Sequence, residues 1–154
     1  MGIAPSPISV IVVGMPAAIG AALAEPERTV VCFSGDGSFK MNIQELVTLA
    51  EEGLNVKIVL MNNNSLGLVY QQQNLFYGKR VFASKYRSAP DFLKIAEGFG
   101  IRGVDLDAAE NPRALLAQVL SEPGPCLIHA TIDREQFVYP MVPPGAANTE
   151  MIGE

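Results

Sequence analysis

Two short stretches of this chain carry residues able to hold a cation and to line an anion: Gly35-Asp36-Gly37-Ser38 and Asn62-Asn63-Asn64. Asp36 offers a carboxylate and Asn63 a carboxamide oxygen. These are the hard oxygen ligands that Mg²⁺ takes in octahedral geometry, usually with phosphate oxygens and water completing the shell. Gly35 and Gly37 let the backbone come close to a phosphate, Ser38 can donate a hydrogen bond to it, and a following helix N-terminus adds partial positive charge. Each stretch alone is weak evidence, because Asp-Gly is an ordinary turn after any strand and Asn favours turns and caps. Neither loop contains Lys or Arg, so for a bound diphosphate the metal would have to neutralise most of the charge. The missing phosphate-reaching Lys also argues against an unrelated Mg²⁺-nucleotide binder.

The elements around these loops give them a reason to meet. Val30 to Phe33 and Val56 to Met61 are short apolar runs with β-branched residues, the pattern of strands buried on both faces. Between them, Asn42 is placed to cap a helix, Glu45 completes a capping-box spacing, and Gly53 suits a left-handed stop. A strand–helix–strand unit of this kind has parallel strands, and ligands of such sheets bind beyond the carboxyl ends of the strands, where Asp36 and Asn63 fall. Further along, the sequence predicts helices from Met15 to Ala24, after Ser65, from the Ser88-Ala89-Pro90-Asp91 start to Gly98, and from Asn111-Pro112 to Leu120. Strands are predicted at Ile101 to Leu106 and Cys126 to Ile132, with a loop from Phe76 to Ser88 and an extended tail from about Tyr139. Residues 1–13 read as a strand or an unstructured leader. Alternating helices and buried strands imply an α/β fold with a mostly parallel sheet flanked by helices.

Composition narrows the class. The chain has 154 residues, 49% of them apolar, which suits one domain with a substantial core. A net charge of −5 without a basic cluster argues against nucleic acid as partner. The low share of charged residues suggests surface covered by another subunit or domain. Cys32 and Cys126 lie in apolar strand-like runs without metal or redox spacing and read as reduced core residues of a cytoplasmic protein. The apolar stretch Ile8 to Ala24 ends in a signal-peptidase-like Ala22-Leu23-Ala24. However, no basic residue precedes Arg28, and Gly14 and Pro16 interrupt the stretch, which argues against secretion and against a membrane span. His129, the lone histidine, lies in an apolar strand and reads as a core or edge residue.

The two loops and their neighbours resemble a known family. Gly35-Asp36-Gly37, then twenty-four residues, then Asn62-Asn63 matches the thiamine-diphosphate fingerprint of pyruvate-processing enzymes. Met15-Pro16-Ala17-Ala18-Ile19-Gly20-Ala21-Ala22, Met41-Asn42-Ile43-Gln44-Glu45-Leu46, Leu75-Phe76-Tyr77 and Tyr139-Pro140-Met141-Val142-Pro143-Pro144-Gly145-Ala146 resemble the large catalytic subunit of acetolactate synthase (acetohydroxyacid synthase). The likeness runs from about Gly14 to Glu154, and implies a C-terminal thiamine-diphosphate-binding domain over 14–154 behind a non-matching leader, residues 1–13. It implies that Asp36, Asn63 and the Ser65 carbonyl ligate Mg²⁺. Gly35, Gly37, Ser38, Ser65, Leu66, Gly67 and Leu68 would line the diphosphate. Gln72 falls where many relatives carry Trp beside the substrate channel.

The whole enzyme so implied condenses two pyruvates, or pyruvate and 2-ketobutyrate, with decarboxylation, on the way to branched-chain amino acids. FAD and the glutamate that protonates the cofactor belong, in that family, mainly to domains with no counterpart in these 154 residues. The chain alone is therefore expected to be inactive. A homo-oligomer and a regulatory subunit are the expected partners. The rival expectation is a truncated, non-catalytic module that folds and self-associates without productive cofactor binding.

Overall fold

Val30–Gly35 and Val56–Asn62 form β1 and β2, two parallel strands in direct register, with Val30 opposite Val56 and Gly35 opposite Met61. The computed structural model describes residues 10–153. Over that range the chain divides into two compact units, one made of the residues up to Asn62 with Pro90–Thr131, the other of Asn63–Ala89 with Ile132–Glu154.

The first unit holds one all-parallel sheet of four strands in the order β1-β2-β4-β3, where β3 is Arg102–Asp105 and β4 is Cys126–Thr131. Side chains alternate across the central strand β2, and both of its faces are covered. On one face Ile58 and Leu60 pack with Cys32 and Leu127 against α1 (Val10–Ala24), α2 (Asp36–Met41), α3 (Leu46–Glu51) and α5 (Phe92–Gly98), through Met15, Phe39, Leu46, Leu49, Phe92 and Ala96. On the other, Val59, Cys126 and Ile128 meet Val119, Leu115 and Leu116 of α6 (Pro112–Ser121). Burying each such side chain contributes about 1.5–3 kcal/mol, which is why the apolar residues of β2, interrupted by the buried Lys57, specify the sheet centre. The edge strand differs: Cys32 and Ser34 are buried, while Val31 and Phe33 are 41% and 66% exposed. The two cysteines are free and buried in separate clusters, as their apolar settings predict. Burial pushes both thiols above their ordinary pKa.

Several local expectations are corrected. α1 begins at Val10, so Pro16 lies inside the helix and not in its first turn, and Val10–Val13 are helical where a strand or leader was expected. The rest of the expected leader, residues 1–9, lies outside the described residues. The predicted Asn42–Gly53 helix is replaced by a short 3-10 turn at Ile43–Glu45 and α3, and the unexpected helix α2 precedes it. Asn42 does not cap with its side chain; its Nδ2 donates to the Ser38 carbonyl at 3.1 Å and closes α2. With Asn42 turned backward the capping box cannot form, and Glu45 instead accepts from Gln44 Nε2. Gly53, at φ +56°, does supply the left-handed stop, with Leu54 N–H returning to the Leu49 carbonyl. α5 is capped by Asp91, whose carboxylate accepts Lys94 N–H at 3.0 Å, and not by Ser88 or Ala89. Asn111 caps α6 as expected, accepting Ala114 N–H at 3.0 Å. Among the described residues, no helix is long and apolar enough to cross a membrane.

In the second unit, Asn63–Ser65 leads into α4 (Gly67–Phe76), and an irregular segment follows to Ala89. Tyr70 and Phe137 meet edge to face at 6.0 Å between centroids. Gln71, buried, exchanges hydrogen bonds with the Val138 backbone in both directions. Tyr139 to Gly153 is a tail of turns closed by an antiparallel bridge between Met141 and Ile152.

Candidate metal and diphosphate site

The predicted residues fall into two groups, one in each unit. In the first, Gly35 ends β1 and Asp36 opens α2, because the strand's last residues are small and the helix starts at once. The Asp36 carboxylate is 2% exposed, and its Oδ1 accepts the Gly37 N–H at 2.9 Å. A carboxylate this deep requires positive charge or hydrogen-bond donors around it. Lys40, one helical turn on, supplies part of that: burial lowers its pKa, and the attraction of Asp36 opposes the shift. Lys40 also lies over the Phe92 ring at 5.8 Å. The expectation that no cation accompanies this loop therefore misses Lys40, which the i,i+4 spacing would have revealed had α2 been foreseen.

In the second unit, the Asn63 side chain forms a tight turn over its own loop. Its Oδ1 accepts both the backbone N–H and the hydroxyl of Ser65, at 3.1 and 3.0 Å. The Asn63 amide nitrogen lies where a side chain on Gly67 would begin: a Cβ there would be 2.7 Å from it. A side chain on Gly67 would therefore force the Asn63 carboxamide to shift. Asn64 adopts a left-handed φ of 53°, which Asn tolerates better than most residues. The loop is braced by Leu66 N–H to the Ser84 carbonyl at 2.8 Å and Tyr86 N–H to the Asn64 carbonyl at 3.2 Å. Arg134 reaches the same loop: Nε donates to the Asn63 carbonyl at 3.2 Å and an Nη to the Asn64 carbonyl at 3.4 Å. Nothing in the sequence linked Arg134 to Asn63, which lies 71 residues earlier. Among the described residues the Ser65 carbonyl accepts no hydrogen bond, while those of Asn63 and Asn64 are taken. Ser65 is buried, Leu66 is half-buried, and Leu68 is 37% exposed.

His129 is tied into a polar network at the carboxyl end of β4. Its Nε2 is 3.1 Å from Asn62 Nδ2, and its Nδ1 is 3.2 Å from Asp105 Oδ1 and 3.8 Å from Asp107. A ring that accepts from the Asn62 amide at Nε2 can donate from Nδ1 to the carboxylate. Asp107 in turn accepts the Thr131 N–H at 3.0 Å. Phe92 stacks on the ring. His129 thus sits on an interior strand, half-buried, and ties the carboxyl ends of β2, β3 and β4 together.

In the first unit Asp36 offers a carboxylate, and in the second Asn63 offers a carboxamide oxygen and Ser65 a carbonyl without a hydrogen bond among the described residues. Each is a hard oxygen of the kind a divalent cation such as Mg²⁺ takes. Both cysteines lie in the apolar clusters of the first unit.

A parallel α/β sheet whose neighbouring strands end in small polar, glycine-containing segments belongs to the class of folds that bind ligands beyond the carboxyl ends of their strands. Comparison with known proteins specifies the class. The family described as thiamine pyrophosphate enzyme, C-terminal TPP binding domain, matches residues 8–130, and the chain belongs to that family. The chain is 60% identical over 141 residues to the Escherichia coli (strain K12) acetolactate synthase isozyme 1 large subunit, covering 92% of this chain and 25% of that protein. It is 48% identical over 139 residues to the isozyme 2 large subunit of the same organism, covering 90% and 25%. To the acetolactate synthase large subunit of Pyropia yezoensis it is 45% identical over 141 residues, covering 91% and 24%. The chain thus spans about a quarter of the length of the curated relatives it matches.

Proposed function

We propose that these residues are the part of an acetolactate synthase catalytic subunit that grips thiamine diphosphate through Mg²⁺. Asp36, Asn63 and the Ser65 carbonyl are the metal ligands. Gly35, Gly37, Ser38, Ser65, Leu66, Gly67 and Leu68 line the diphosphate. The observation that carries the reading is the register of β1 and β2. Gly35 pairs with Met61, so Asp36 and the chain entering Asn63 follow neighbouring parallel strands. When bound, thiamine diphosphate supplies the electron sink needed to decarboxylate a 2-keto acid and join the remaining two-carbon unit to a second one. The chain's own residues fix and orient the diphosphate end.

The substrates proposed for the whole enzyme are pyruvate and 2-ketobutyrate, in branched-chain amino acid synthesis in the cytoplasm. A second copy and a regulatory subunit are its proposed partners. Neither FAD nor the protonating glutamate is assigned to any residue here, so the 154 residues alone are expected to capture cofactor without releasing acetolactate.

Calorimetric titration of thiamine diphosphate with Mg²⁺, with chelator, and into Asp36→Ala and Asn63→Ala tests the reading. Loss of a charge-assisted contact costs ~1.5–3 kcal/mol, roughly ten- to a hundredfold in affinity. Asp36→Ala should approach that loss, and Asn63→Ala, which removes a neutral oxygen, should fall short of it. Equally tight binding in chelator would remove Asp36 from its assigned role.

A further inference from the structure

We propose that Arg134 is a positioning residue for the metal loop, selecting which backbone carbonyl of Asn63-Asn64-Ser65 is left for the cation. The inference rests on the assignment of Asn63 and Ser65 as metal ligands. Arg134 is half-buried and stands in a turn in which Asp133 Oδ1 accepts the Glu135 N–H at 2.9 Å. Among the described residues it makes no ion pair, so its guanidinium is directed at two carbonyls instead of a carboxylate. A guanidinium is a rigid fork with donors at fixed spacing, whereas an ammonium is a point charge on a flexible stem. Two consecutive carbonyls flanking the left-handed Asn64 suit the fork. With those two held, the carbonyl of Ser65 is the one without a hydrogen bond among the described residues. Holding the Asn63 carbonyl also fixes the Cα from which its carboxamide projects. The segment Ser84–Tyr86 braces the loop through Leu66 N–H and the Asn64 carbonyl. Arg134 therefore acts on a loop that is already folded, and its loss should displace ligands without unfolding the unit.

The role of position separates from the role of charge. Arg134→Lys keeps the charge and loses the fork; Arg134→Gln keeps a short donor and loses the charge. Thiamine diphosphate is titrated calorimetrically into the unmodified 154-residue chain and both variants at limiting and at saturating Mg²⁺, with thermal unfolding followed in the absence of ligand. Both variants should bind roughly tenfold more weakly at limiting Mg²⁺. Because the defect is in metal capture, most of the loss should be recovered when Mg²⁺ saturates, and the melting temperature of Arg134→Lys should stay near that of the parent. Parent-like affinity of Arg134→Lys at limiting Mg²⁺ would overturn the fork. So would a loss that is equal at all Mg²⁺ concentrations and follows a fall in melting temperature. Should the unmodified chain itself fail to bind, the functional reading fails and takes this inference with it. Tight binding by the unmodified chain with unchanged variants overturns the inference alone.

Discussion

Gly67→Ala isolates the Asn63 carboxamide without touching any donor atom. The first residue of α4 has no left-handed φ, so alanine can adopt its backbone. The new Cβ would meet Asn63 Nδ2 at 2.7 Å and its Cγ at 3.8 Å. To regain contact near ~3.5 Å, the amide must retreat by roughly 0.8 Å. That movement stretches both hydrogen bonds from Ser65 to Oδ1, now 3.1 and 3.0 Å. Such bonds contribute about 0.5–1.5 kcal/mol each, whereas a compatible Gly→Ala change recovers about 0.4–1 kcal/mol by restricting the unfolded chain. The net effect on stability is a loss of roughly 0–2.5 kcal/mol. Metal capture has no such compensation. Displacing one neutral oxygen should weaken thiamine diphosphate binding at limiting Mg²⁺ about three- to tenfold. Calorimetry at two Mg²⁺ concentrations and a ligand-free melt on the same sample measure both quantities. Parent-like affinity at limiting Mg²⁺ would refute the link between the bare Gly67 backbone and the metal ligand. A loss of equal size in chelator would refute it too.

The exposed face of β1 carries a prediction about association. Phe33→Ala should weaken a dimer formed through Val31 and Phe33 by at least tenfold in sedimentation velocity, since burying a Phe contributes ~1.5–3 kcal/mol; a parent that stays monomeric at high micromolar concentration counts against it. Alkaline pH should destabilise the chain through its thiols. Cys32 and Cys126 hold their protons beyond the ordinary value of 9.0. Above that value the unfolded chain binds fewer protons, and stability falls as pH rises. Lys57, buried and donating to the Glu122 and Gly124 carbonyls, has a lowered pKa and acts in the opposite sense just below 10.5. Urea unfolding between pH 8 and 10 should therefore lose its downward slope when both cysteines are replaced by alanine. A slope that is unchanged in the double variant would assign it to other groups.

What the sequence determined by itself was the sheet and the small polar residues at the ends of its strands. Buried parallel strands declare themselves as largely apolar runs, because most of both faces must leave water, and ligands of such sheets bind beyond the strands' carboxyl ends. Asn111 and Gly53 were legible for a related reason: a cap accepting an N–H and a left-handed stop are satisfied within a few residues. Asn42 was misread because two local partners competed for its carboxamide, and the Ser38 carbonyl, reached only once α2 had formed, was the one it bonded. Lys40 was hidden by the same unforeseen helix. The bracing of the Asn63–Ser65 loop was beyond local pattern altogether. Arg134 and Asn63 are 71 residues apart, and so is any explanation of why the loop keeps its shape. His129 shows the same limit: its type and apolar strand implied an edge or core residue. Its bonds to Asn62 on β2 and Asp105 on β3 exist because the sheet places β4 between those two strands, an order that no run of neighbouring residues records.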